Sequence, residues 1–300
     1  MSARTSDVVF PAQGRAAAGG QWAGRAFRRI AQNPMGLLGL SLVALLVFTG
    51  LFADFLAPYD PIKILVQNRL ADPTWAHPLG TDQLGRDVLS RVIKGSQIAL
   101  TVGVATICIA MTIGLCLGLL AGYGPRWLDN ILMLLFDCVY SFPVIVLALV
   151  VITLIGPSNA TVMLVIVTVQ SPIYSRLVRT ATLSVKNSEF ILAERAMGAS
   201  QLRIGLRHIL PNVIGPLLIL GSMDIPVVFT LEAGLSFLGV GVRPPAPSWG
   251  RILNEGYNFI RETPWIVIGG GIPLILATLG FTFLGETLRD TFDPKLRRTI

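Results

Sequence analysis

NSEFILAERAMGASQLRIGLRHILPN, residues Asn187 to Asn212, is the stretch on which the reading of the fold turns. Ser188 to Met197 is predicted helical, with Phe190, Ile191, Ala193 and Met197 falling towards one side. Glu189, Glu194 and Arg195 fall largely elsewhere. Gly198 breaks that helix, Ser200 suits the N-cap of a second short one, and Pro211 is expected to end it. Neither half approaches the roughly 20 apolar residues that cross a bilayer, yet long apolar segments flank the stretch on both sides. It therefore reads as a helix–turn–helix held at a membrane surface, with an apolar face that needs a partner. Lipid headgroups beneath two interfacial helices would be the plainest one.

The composition agrees with a membrane setting. Over 300 residues the chain is 53% hydrophobic and 14% charged, with a mean hydropathy of +0.67. A soluble domain carries about 25% charged residues. The net charge of +7 lies in short basic clusters between apolar runs, the pattern of cytoplasmic loops in a polytopic membrane protein and not of a nucleic-acid binder. Cys108, Cys116 and Cys138 all sit in apolar stretches and read as small packing residues.

Working outward from the central hairpin gives an all-α protein of about six spans. Residues 1–34 form a polar, basic tail, and Met35 to Ala53 forms a retained first span with no convincing cleavage site. Residues 35–97 hold that span and a long external connection. Within it, Asp87, Arg91 and Lys94 lie opposite Val88, Leu89, Val92 and Ile93, as on an amphipathic helix lying flat before turning into the bilayer. The core, 98–290, opens with Ile98 to Gly122, where Gly114, Gly118 and Gly122 recur every fourth residue and Gly103 lies upstream; small residues so spaced admit close helix approach. Asn130 to Ile155 and Ala160 to about Ser175 follow as the third and fourth spans. Beyond the hairpin come Val213 to Leu235, kinked at Pro216 and Pro226, an outer loop from Gly239 to Thr263, and Pro264 to Leu284. Residues 291–300 form the closing tail. With both termini and the hairpin inside, sixteen Lys and Arg fall inside and eight outside, as the positive-inside rule asks.

The chemistry that is missing narrows the function. No G-x-x-x-x-G-K-[ST] loop is present, so ATP is not bound here in the P-loop manner. His77 and His208 are the two histidines, no H-E-x-x-H or Cys pair accompanies them, and neither metal nor cofactor is implied. Uphill transport would need energy from another polypeptide, and the hairpin is the evident receiver. Three acids lie inside spans, Asp137 in the third and Asp224 and Glu232 in the fifth. Each reads either as lining a polar path or proton-linked site, or as a buried helix–helix hydrogen bond. Trp249 and Arg251 in the outer loop read as an interface anchor or as part of a docking surface.

Two stretches carry a family resemblance. Leu192, Ala193, Glu194, Gly198, His208, Leu210 and Pro211 fall on the pattern E-A-A-x3-G-x9-I-x-L-P, which resembles the cytoplasmic EAA loop of binding-protein-dependent ABC importer permeases. The leading Glu is replaced by Leu192, an acid appears two places later at Glu194, and His208 stands in the Ile position. HPLGTDQLGRDVLSR, from His77 to Arg91, is similar to the C-type permease subunit of dipeptide, oligopeptide and nickel importers, including glutathione relatives, as is VGVRPPAPSWG in the outer loop. C-type permeases usually carry Arg three residues before the acid matching Asp137; here Leu134 stands there, and Arg176 or Arg179 is the expected partner instead.

The resemblance implies an ABC importer type I transmembrane-domain fold in a bacterial cytoplasmic (inner) membrane. It also implies a second, non-identical permease, two cytoplasmic ATPases, an extracytoplasmic solute-binding protein, and no catalytic site in this chain. Leu192, Ala193, Glu194, Arg195, Ala196, Gly198, Ala199, Leu210 and Pro211 would then couple to the ATPase, with the small residues allowing close approach and Glu194 and Arg195 setting register. Dipeptides, longer peptides, glutathione and nickel chelates are the candidate solutes. A stand-alone secondary transporter would ordinarily show internal repeats, and a membrane enzyme would show a nucleophile–base set; neither pattern is readable.

Overall fold

The computed structural model describes residues 32–292, so most of both predicted tails (1–34 and 291–300) lies outside the described residues. Among the described residues the chain is helical, with no strand beyond an isolated bridge between Thr81 and Asp87. Helix α1 (Pro34–Leu51) begins where Asn33 caps the Met35 amide and Pro34 supplies a preset φ. A single turn, α2 (Ala53–Leu56), leads into irregular chain up to Asp87.

The Asp87 carboxylate accepts from the Ser90 amide at 2.7 Å and starts α3 (Val88–Tyr123), a continuous helix of 36 residues. The expected flat amphipathic segment is here the opening of that continuous helix, and Arg91, expected beside Asp87 and Lys94 on its polar side, is fully buried.

The predicted third span is two helices, α4 (Arg126–Tyr140) and α5 (Val144–Ile155), bent by 90° at their junction. Pro143 forces this break: it has no amide hydrogen to continue the ladder, and it drives Phe142 out of the helical region. Helix α6 (Asn159–Lys186) outruns its predicted end at Ser175, so Arg176 and Arg179 lie within it. The hairpin comprises α7 (Glu189–Ala196) and α8 (Gln201–Ile204). A π-helical turn, Gly205–Ile209, then joins α8 to α9 (Leu210–Phe237) with no interruption. Pro211 therefore does not end the second short helix; it lies inside a continuous helical run, directly after the π turn that shifts the hydrogen-bond ladder where its amide hydrogen is missing. The outer loop contains an unforeseen helix, α10 (Trp249–Tyr257), and α11 (Trp265–Phe292) closes the described chain.

Five helices are each long and apolar enough to cross a membrane, and the bent α4–α5 pair brings the number to as many as six. Helices α3 and α6 run side by side in the same direction through glycine contacts. A Cβ at Gly118 would stand 2.5 Å from the Ser175 carbonyl oxygen, and one at Gly122 would stand 2.8 Å from Thr182 Cβ. Helix α9 packs on α3, α6 and α11, and α1 packs on α11. The larger core unites α3, α5, α6 and the hairpin with α9; the smaller unites α1, α3, α9, α10 and α11.

Candidate functional site

The hairpin α7–α8 is clamped to the ends of two spans. The Tyr123 hydroxyl, at the last residue of α3, donates to the Gln201 carbonyl oxygen at 3.2 Å and also meets the Gln201 side chain. Lys186, ending α6, donates to the carbonyls of Gly122 and Tyr123 at 3.3 Å. Ile191, Ile204 and Ile209 are fully buried in the larger core. Helix α8 also runs on into α9.

Within this frame the hairpin exposes what a water-facing surface should hide. Phe190 is 48% exposed, Leu192 54%, Met197 75%, Leu202 73% and Leu206 59%. Ala193, Ala196 and Gly198 lie among them on the surface, with Pro211 beyond, while Ala199 and Leu210 are half-buried. Gly198 has a φ of +83° and open space where a Cβ would stand, so backbone conformation and not crowding demands glycine here. The sequence-predicted apolar side is thus divided: Ile191 turns into the bundle, whereas Phe190 and Met197 stay outside.

Glu194 and Arg195 do not both project outward. Glu194 is half-buried and lies 3.5 Å from His208 Nε2 across the hairpin, with the Phe190 ring beside the same imidazole. Arg195 is half-buried, and its Nε has no hydrogen-bond partner among the described residues. The displaced acid therefore braces the hairpin internally.

The three in-span acids occupy different settings. Asp137 pairs with Arg176, one of the two expected partners, at 2.7 Å, and the Arg176 guanidinium lies over the Tyr140 ring. Arg179 instead grips Asp129, Nη2 to Oδ2 at 2.6 Å. Asp224 lies beside the Tyr174 hydroxyl, although neither Asp224 Oδ2 nor Tyr174 Oη completes a hydrogen bond of good geometry. Glu232 is buried near the far end of α9, where it accepts from Ser236 at 2.7 Å. Ser236 Oγ in turn receives the Val242 amide, so Glu232 fastens the outer loop to the bundle.

At the end opposite the hairpin lies a buried charge cluster that sequence reasoning missed. Asp82 takes Arg86 Nε at 2.6 Å and is also reached by Arg91 Nη1. Glu255 takes Arg86 at 2.8 Å, Arg91 at 2.7 Å and Arg251 at 2.9 Å. Burial by itself pushes the Glu255 carboxyl up; the charge and hydrogen bond of Arg91, the charge of Arg86 and a bond from Gln83 outweigh that and hold it below the ordinary carboxylate range. Trp249 is 1% exposed and donates from Nε1 to the Val92 carbonyl at 3.0 Å. It is a core residue, and the expectation of an interface anchor is corrected.

This architecture is that of an ABC importer transmembrane domain. An inward-facing structure of the MetNI methionine ABC transporter shares it, with a TM-score of 0.53 over 68% of this chain and 97% of that chain at 18% identity. The family described as binding-protein-dependent transport system inner membrane component matches residues 114–298, and the N-terminal transmembrane domain of oligopeptide transport permease C matches residues 20–73. The chain belongs to that family, and within it to the C-type permeases of the dipeptide and oligopeptide importers. It is 35% identical to the dipeptide transport system permease protein DppC of Alkalihalophilus pseudofirmus, across 91% of this chain and 90% of that one. It is 38% identical to the glutathione transport system permease protein GsiD of Pectobacterium atrosepticum, across 90% of each. The di/tripeptide permease DppC of Pseudomonas aeruginosa is 35% identical, across 90% of this chain and 91% of that one. The chain is thus a multi-pass membrane permease subunit of a binding-protein-dependent ABC importer, working with ATPase and substrate-binding partners.

Proposed function

We propose that this permease forms one half of the translocation path for peptides of the dipeptide and oligopeptide class. Its other half would be a second, non-identical permease, and two cytoplasmic ATPases would dock on the α7–α8 hairpins. The observation that carries the reading is the uncovered apolar set Phe190, Leu192, Met197, Leu202 and Leu206 on a hairpin hydrogen-bonded to the end of α3 and running directly into α9. Water is a poor neighbour for so contiguous a patch. The small residues Ala193, Ala196 and Gly198 among them allow a partner's backbone to approach closely. ATP-driven closure of the ATPases would pull the hairpins, tilt α6 and α9 and open the path outward; hydrolysis would reset it.

In this reading the hairpin and both chain termini face the cytoplasm, supported by the basic residues gathered in the two tails and in the hairpin (Arg195, Arg203 and Arg207). The chain carries no catalysis of its own. Relatives named for dipeptides and for glutathione support the peptide class, with glutathione or nickel chelates as the second reading. The test is uptake by the complete complex in proteoliposomes supplied with its binding protein. ATP-dependent accumulation of a dipeptide is expected. Uptake by this chain alone, or uptake indifferent to ATP, would defeat the proposal.

A further inference from the structure

The Asp137–Arg176 pair stands in an unusual place. At about 1.5 Å per residue, Arg176 lies about 26 Å from the Asn159 end of α6 and about 15 Å from the Lys186 end. A hydrocarbon layer about 30 Å thick centred on that helix includes it. Yet the pair is not buried: the Asp137 side chain is 69% exposed and that of Arg176 43%. Intramembrane charges face a bundle interior or a water-filled cavity, not lipid.

The neighbours point the same way. Thr180, one turn beyond Arg176 on α6, is exposed, and Ser141 is exposed one turn beyond Asp137. Hydroxyls of Thr180 and Ser141 donate to carbonyls of their own helices at 2.9 Å, which keeps each oxygen free to accept a further hydrogen bond. A polar strip with an open ion pair at its centre is a wall for water and solute.

We infer that the strip lines the solute path and that Asp137 and Arg176 form its charged subsite. Each exchanges its partner for one terminus of a passing zwitterion, the ammonium to Asp137 and the carboxylate to Arg176. The Tyr140 ring, 5.1 Å from the Arg176 guanidinium carbon, keeps the cation oriented while it is unpaired. Between transport events the two side chains neutralise each other, so no free charge stands in the path. The inference rests on the importer reading above and adds to it the chemistry of what is carried: a molecule bearing both an ammonium and a carboxylate.

Two measurements on the complete complex test it. In a background with Cys108, Cys116 and Cys138 replaced by Ala, Thr180→Cys and Ser141→Cys should react with a charged, water-soluble methanethiosulfonate at least about tenfold faster than Leu45→Cys, which lies exposed among apolar neighbours on α1. Equal rates would overturn the aqueous strip. In the second measurement, Asp137→Asn and Arg176→Gln should each lower the maximal uptake of a zwitterionic dipeptide about tenfold, with assembly unchanged. A pair that only neutralises itself is relieved when both charges go, whereas a pair that meets solute stays impaired. The double variant should therefore transport no better than the worse single one, and recovery towards the parent rate would overturn the subsite. Failure of the importer reading is seen separately, as no ATP-dependent uptake by the unaltered complex.

Discussion

The buried charge cluster at one end of the bundle and the hairpin at the other are built in opposite ways. At the end away from the hairpin, Asp82, Arg86, Arg91 and Glu255 are all buried and joined by ion pairs of 2.6–2.8 Å. At the hairpin end, Met197 and Leu202 are more than 70% exposed. In its charges the first end is closed on itself, with Trp249 sealed beneath, although Phe55, Val66 and Trp75 in its connecting chain stand exposed; the second offers apolar surface on the hairpin, which the proposed ATPase would cover. If coupling lies on the hairpin as proposed, stability held in the charge cluster and coupling lie in different places, so the two can be disturbed separately.

The largest effect is expected at the closed end. Arg91→Met removes the cation shared by Asp82 and Glu255 and leaves buried carboxylates with too few partners, which costs about 3 kcal/mol or more. Loss of folded permease from membranes, or a much lower melting temperature in detergent, would show it. An unchanged melting temperature would mean that the closed end contributes little. Next comes the α3–α6 contact that joins the ends. Gly118→Leu must displace the backbone around Ser175, already 2.5 Å from where a Cβ would stand, at a cost of about 1–3 kcal/mol. Gly198→Ala, in open space, should cost less and through φ alone.

The closed end should also respond to acid. The folded Glu255 carboxyl is held below its ordinary 4.5, so its stabilising contribution is complete above that value and fades as pH falls through the lower folded one. Each unit of depression corresponds to about 1.4 kcal/mol. Melting temperature should therefore drop on acidification below about 4.5, and Glu255→Gln should flatten that drop while lowering stability at neutral pH. An equally steep acid limb in the variant would assign the acid sensitivity to other carboxylates.

Sequence patterns reached these regions unequally, for physical reasons. The hairpin was legible because its signals are local: Ser200 caps, Gly198 needs positive φ, and apolar residues recur within eight positions. Asp137 and Arg176 could be matched because an in-span acid demands a cation and few lay in reach. The closed end was not legible. Asp82 and Glu255 meet the same arginines from 173 positions apart in sequence, and no periodicity links such distant positions. Charged residues near a span therefore suggested a solvated helix face where the fold had built a buried lattice. Trp249 was misplaced for the same reason, since its Val92 partner lies on a different helix. The α4–α5 break and the passage through Pro211 were misjudged differently. Pro143 had a readable signal in its restriction of Phe142, but the π turn before Pro211 has no sequence signature of comparable strength.

The smallest effect on the chain itself, and the sharpest on its assembly, is expected at the open end. Leu202 is 73% exposed and Met197 75%, so Met197→Ser with Leu202→Ser removes little buried area and should change the permease's own stability by no more than about 0.5 kcal/mol per site. If these side chains are covered by an ATPase, the same pair of substitutions strips apolar area from the centre of an interface, where a few residues carry most of the binding. Co-purification of the ATPases should then fall severely while the permease melts as before, and dipeptide uptake should fall with it. Intact co-purification would move the docking surface off the hairpin, and a permease destabilised as strongly as by Arg91→Met would abolish the contrast between the two ends.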